Sequence, residues 1–74
     1  MDDLVLSTRI KAALIDGFPG ISVKSDYGNV IIYAKSDTRL ARKLQEAAEG
    51  QKAEIAGIHS LEVHPGTTAP PDAV

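Results

Sequence analysis

Along the first fifteen positions apolar residues recur at helical spacing. Leu6, Ile10, Ala13 and Leu14 fall on one stripe, with Ser7, Arg9 and Lys11 on the other side, which predicts an amphipathic helix over residues 2–15. Asp2 and Asp3 suit its start, where a short carboxylate caps free N–H groups and meets the positive end of the helix dipole. Asp16-Gly17 stops the helix and Pro19 keeps it from resuming. The period then switches from helical to alternating. Ile21-Ser22-Val23-Lys24-Ser25 reads as a half-buried strand, Asp26-Tyr27-Gly28-Asn29 as a turn, and Val30 to Ala34 as a second strand close enough for a hairpin. Val30, Ile32 and Ala34 share the core side with Ile21 and Val23, so Ile31 and Tyr33 point the other way.

Helical spacing returns after Ser36 or Asp37, either of which can cap a second helix. Leu40, Ala41, Leu44, Ala47, Ala48, Gln51 and Ile55 mark its buried stripe, to about Ala53. Gly50 inside it costs about 1 kcal/mol relative to Ala. Gly57 punctuates, and Ile58 to His64 forms a third strand with Leu61 and Val63 facing in. From Pro65 onward "PGTTAPPDAV" has no apolar period and reads as a flexible tail or linker. The expected fold is therefore α+β, an α-β-β-α-β sandwich with two helices on one face of a three-stranded mixed sheet. Residues 1–64 form the domain and residues 65–74 the tail. Three strands cannot close a barrel, so one sheet face is left open.

Composition narrows the function classes. A chain of 74 residues buries only about 60% of its unfolded surface, and without cysteines no disulfide or thiolate metal site supplements that core. The net charge of −2 argues against the chain as a whole being a nucleic-acid binder. No apolar run reaches the ~20 residues of a membrane span, and the start "MDD" lacks the basic region of a secretory signal. That start is equally compatible with a domain excised from a longer protein.

Motifs for chemistry are sparse. His59 and His64 are five apart in the third strand, which puts them on opposite faces, where they do not easily share a metal. Gly17-Phe18-Pro19-Gly20 has the G-x-x-G form of an RNA-clamping loop. It joins a helix to a strand, however, and has no adjacent lysine before Lys24. No nucleophile-elbow sequence is present. The reading is non-enzymatic, with no catalytic residues, no metal and no cofactor. The better lead is a basic cluster. Lys35, Arg39, Arg42 and Lys43 are four of the eight positive residues, and the last three share one side of the helix. Such a group attracts an anionic bilayer at roughly 1 kcal/mol per charge. Charge on a solvent face is also ordinary, and Arg42 can pair with Glu46 at i+4.

Val23, Gly28, Val30, Ile32, Ser36, Arg39 or Arg42, and then Gly57-Ile58 with Leu61 and Val63, follow the order of the BON domain (bacterial OsmY and nodulation). The chain resembles that family over residues 2–64. Ala34 stands where the family often has a second glycine, and the span from Ser36 to Gly57 is about one helical turn longer than usual. The resemblance implies a non-catalytic binding or anchoring module, associated with phospholipid membranes and common in bacterial envelope proteins. On this expectation Lys35, Arg39, Arg42 and Lys43 supply charge, and Ile31 and Tyr33 supply contact. The partner is an anionic phospholipid membrane or another domain of the parent protein. The rival expectation is a protein–protein or regulatory domain appended to a soluble bacterial protein, which would place the chain in the cytoplasm rather than the periplasm or envelope.

Overall fold

The computed structural model describes residues 3–34 and 38–74. Its order is α1 (Asp3–Leu14), β1 (Ser22–Asp26), β2 (Asn29–Ala34), α2 (Thr38–Glu54) and β3 (Ser60–Pro65). The sheet is mixed, in the order β1-β2-β3, with β1 antiparallel and β3 parallel to the central β2. Helix α1 lies against β1 and α2 against β3, so both helices cover one sheet face. The Ser36 or Asp37 cap expected for the second helix falls outside the described residues.

Alternation and helical period build the core between these layers. Leu6, Ile10 and Leu14 come from α1, and Leu44 and Ala48 from α2. They meet Ile21, Val23, Val30 and Ile32 from the hairpin, and all nine are buried. Leu61 and Val63 of β3 pack against this cluster from the same face. Two positions of α1 depart from the expected stripe. Ser7 is buried and Ala13 is exposed. The buried arc runs through residues 6, 7, 10 and 14, with Asp3 half-buried one turn ahead of it, so the helix is turned slightly toward Ser7.

That rotation explains what Asp3 does. It lies on the sheet-facing arc, one turn before Leu6 and Ser7, and its carboxylate grips the hairpin. Oδ2 accepts the Tyr27 N–H at 3.0 Å, while Oδ1 accepts the Gly28 N–H at 3.3 Å and the Ser25 hydroxyl at 3.1 Å. The Tyr27 N–H bond is the main cause that holds the Asp3 carboxyl below its ordinary pKa, with Gly28 and Ser25 adding to it against a desolvation that opposes. A helix-start acid thus serves as a tertiary staple.

The hairpin itself is tight. Asp26 pairs with Asn29, leaving a two-residue loop whose members both take positive φ, Tyr27 at 51° and Gly28 at 83°. This is the pattern of a type I′ turn, which matches strand twist. Glycine is required at the second position for a further reason. A β-carbon on Gly28 would lie 2.8 Å from the Gly57 carbonyl oxygen and 3.2 Å from Cβ of His59. The Gly28 C=O accepts the N–H groups of His59 at 2.7 Å and Ser60 at 3.2 Å, which starts β3 beside β2.

The stretch from Pro65, read in the sequence as a flexible tail or linker, has a defined course here. Pro65 closes β3, and the Gly66 N–H donates to the Ala34 C=O at 2.9 Å. The chain then turns at Pro70–Ala73 and returns to the far edge of the sheet. There Val74 and Val23 exchange both backbone hydrogen bonds, at 2.8 and 2.9 Å, and Val74 packs against the core.

Two glycines give opposite expectations. Gly28→Ala should destabilise the domain by about 2–4 kcal/mol, from the left-handed backbone and the carbonyl clash together. Gly50 sits exposed within α2 with nothing within 4 Å of an added β-carbon, so Gly50→Ala should stabilise by about 1 kcal/mol. Urea denaturation of both variants checks the signs. The Asp3 staple makes a pH prediction. Because its folded pKa is lowered, its contribution is present above the ordinary carboxylate range and is lost as pH falls through the folded value. Asp3→Asn should therefore lower the denaturation midpoint at pH 7, and the gap from the parent should close on acidification. A gap that stays constant with pH would contradict the staple.

Candidate functional site

Because β2 is central, its alternation decides what the uncovered face carries. Even positions go to the core, and odd positions go out. The register sets three rows across that face: Asp26–Asn29–Ser60, Lys24–Ile31–Glu62 and Ser22–Tyr33–His64. Ile31 is thus flanked by opposite charges, and Tyr33 by a hydroxyl and an imidazole. Tyr33 and His64 meet edge to face with ring centroids 5.9 Å apart at 78°. His64 Nε2 lies 3.0 Å from Glu62 Oε2, and the Ser60 hydroxyl donates to Asn29 Oδ1 at 2.8 Å. Ile31 and Tyr33 are both half-buried.

The returning tail covers one end of this face. Lys24 Nζ reaches Asp72 Oδ2 at 3.2 Å. The hydrogen bond to that carboxylate, with its charge, holds the Lys24 ammonium above the ordinary lysine pKa. The ion pair and the Val74–Val23 bonds anchor the tail beyond the edge of β1. Between tail and sheet lies a cleft of about 410 Å³, lined by Gly20, Ser22, Tyr33 and Ala34 from below and by residues 66–69 from above.

The basic cluster sits elsewhere. Arg39, Arg42 and Lys43 are exposed on the first half of α2, while Lys35 lies outside the described residues. The i, i+4 pair that Arg42 could make with Glu46 is not formed among the described residues. Leu40, at the edge of this cationic side toward Phe18 and Leu44, has 46% of its surface exposed, although it was expected in the buried stripe. Leu44 and Ala48 carry the burial of α2 instead.

The candidate residues therefore do not form one surface. Arg39, Arg42 and Lys43 occupy the helical side of the molecule. Ile31 and Tyr33 occupy the opposite side, with the whole sheet between. Sequence reading placed each group correctly away from the core but had no means to relate the two directions. It placed Lys24 beside Ile31 and Tyr33 on the uncovered face, but missed its partner Asp72 and the threonines of the tail. No periodicity marks them, since the tail docks through backbone bonds and a single valine.

Among the described residues no cluster of three or more His, Asp or Glu side chains could hold a metal ion. His59 is exposed ahead of β3, whereas His64 engages Glu62 and Tyr33. No described helix is long and apolar enough to cross a membrane. No family model matches the chain, and comparisons with curated proteins and with solved structures found no match.

Proposed function

We propose that this chain is a BON-like, non-catalytic module that attaches a larger protein to an anionic phospholipid surface. The observation that carries this reading is the first half of α2, where Arg39, Arg42 and Lys43 form one exposed side and the partly exposed Leu40 flanks it toward Phe18 and Leu44. Peripheral attachment wants this mixture. Cations draw the protein to a negative surface, at roughly 1 kcal/mol each, but the attraction is salt-screened and weak alone. An apolar side chain beside them adds a contact that salt does not screen. The element order, with both helices on one sheet face, agrees with the fold the resemblance implies. A location in the bacterial envelope goes with this reading, and a cytoplasmic one with its rival, a protein–protein or regulatory domain.

Amide NMR titration tests it. Vesicles of phosphatidylcholine with 30% phosphatidylglycerol should broaden the resonances of residues 39–44, and pure phosphatidylcholine should not. Raising the salt should weaken the effect, and Leu40→Ser should reduce the affinity about threefold to tenfold. Reversing Arg39, Arg42 and Lys43 to glutamate should abolish it. A spectrum unmoved by both lipids removes the membrane reading and leaves the protein-partner rival.

A further inference from the structure

The cleft beneath the tail has a composition unlike the rest of the surface. Its lining residues are Ser22, Tyr33, Thr67 and Thr68, with Gly20, Ala34, Gly66 and Ala69 between them. Among the described residues it therefore brings together four hydroxyl-bearing side chains and one aromatic ring, with no Asp, Glu, Lys, Arg or His. None of the four hydroxyls hydrogen-bonds another described residue. Uncommitted hydroxyls gathered in one concavity are available to a ligand that both donates and accepts. Tyr33 is half-buried beside these small residues, and its edge contact with His64 at 5.9 Å orients the ring.

The walls are held by groups outside the lining. Lys24–Asp72 and the reciprocal Val74–Val23 bonds fasten the far end of the tail, and Gly66 N–H to Ala34 C=O fastens the near end. The cleft is therefore a shallow concavity, largely open to solvent, whose tail wall is held at both ends. Its volume of about 410 Å³ lies within the range of small-molecule sites.

From this we infer a binding site for a neutral, polyhydroxylated ligand of the size of one pyranose sugar. Among the described residues an anion finds no cation in the lining, and the neighbouring Lys24 is already paired with Asp72. A purely apolar ligand would desolvate four hydroxyls without replacing their bonds to water. A sugar meets both demands of the site. Its C–H face covers the Tyr33 ring, and its hydroxyls exchange hydrogen bonds with Ser22, Thr67 and Thr68. This site lies on the opposite sheet face from the cations of α2 and does not depend on the membrane reading.

The test is an amide NMR titration of the whole chain with methyl β-glucopyranoside and with N-acetylglucosamine, using inorganic phosphate as the charged control. At least one sugar should give saturable shifts at Ser22, Tyr33 and residues 66–69, with a dissociation constant on the order of millimolar for so small a ligand. Tyr33→Ala should weaken binding at least tenfold, while Tyr33→Phe keeps the ring and loses only about twofold to fivefold. Asp72→Lys touches no lining residue and should weaken binding severalfold by releasing the tail. Adding Lys24→Asp to it should restore the affinity. The inference is overturned if neither sugar moves these amides at 100 mM, or if phosphate moves them as strongly as the sugars. It also fails if a folded Tyr33→Ala variant binds as well as the parent.

Discussion

One peptide unit, at Gly28, ties the separate parts of this chain to a common point. Its N–H reaches the Asp3 carboxylate on α1, and its C=O receives two N–H groups from the entry to β3. Its α-carbon sits where any side chain would strike the Gly57 carbonyl. The consequences run the length of the sheet. Once Ser60 is bonded to Gly28, strand geometry turns Ser60, Glu62 and His64 to the open face and sends Leu61 and Val63 to the core. A slip of one residue would bury Glu62 and His64 and expose the two apolar side chains. The three rows of the open face depend on that one junction.

Small sheets must also manage their edges, and this one does so differently on each side. The outer edge of β1 is occupied by the chain's own Val74, which takes the place of a fourth strand. On β3 the Ser60 and Gly66 N–H groups point inward to β2, so alternation turns the backbone of Leu61 and Val63 outward. Pro65 ends that edge without a donor, and Gln45 and Glu49 of α2 flank the groove beside it. A proline and an overhanging helix are recognised ways to discourage strand addition. The tail thus adds core contact through Val74, closes one edge, and roofs a cleft on the open face.

The sheet separates two chemistries. On the helical side Arg39, Arg42 and Lys43 are exposed with Leu40 at their edge. On the other side aromatic, hydroxyl and imidazole groups share the face with Lys24, Glu62 and Asp26. The division has a simple origin. A side chain that points away from the core of a helix and one that points away from the core of a strand leave in opposite directions when the helix lies on that strand's sheet. Arg42 and Tyr33 are both surface residues for this reason, and for the same reason they cannot touch one partner surface together.

What the sequence determined by itself was whatever depends on neighbours a few residues apart. The element order, the apolar stripe of Leu6, Ile10 and Leu14, and the outward direction of Ile31 and Tyr33 all follow from local period. Asp26 to Asn29 could likewise be read as a turn, since the residue types for left-handed backbone are recognisable without context. The resemblance to BON domains drew on these same local features. The tertiary structure decided the contacts between residues far apart in sequence. Asp3 left helix capping for a hairpin more than twenty positions away, and Ser7 rather than Ala13 turned inward. Asp72 and Val74 found Lys24 and Val23 about fifty positions back. A backbone hydrogen bond reads no side chain, and one ion pair has no period, so neither leaves a pattern that a linear reading can detect.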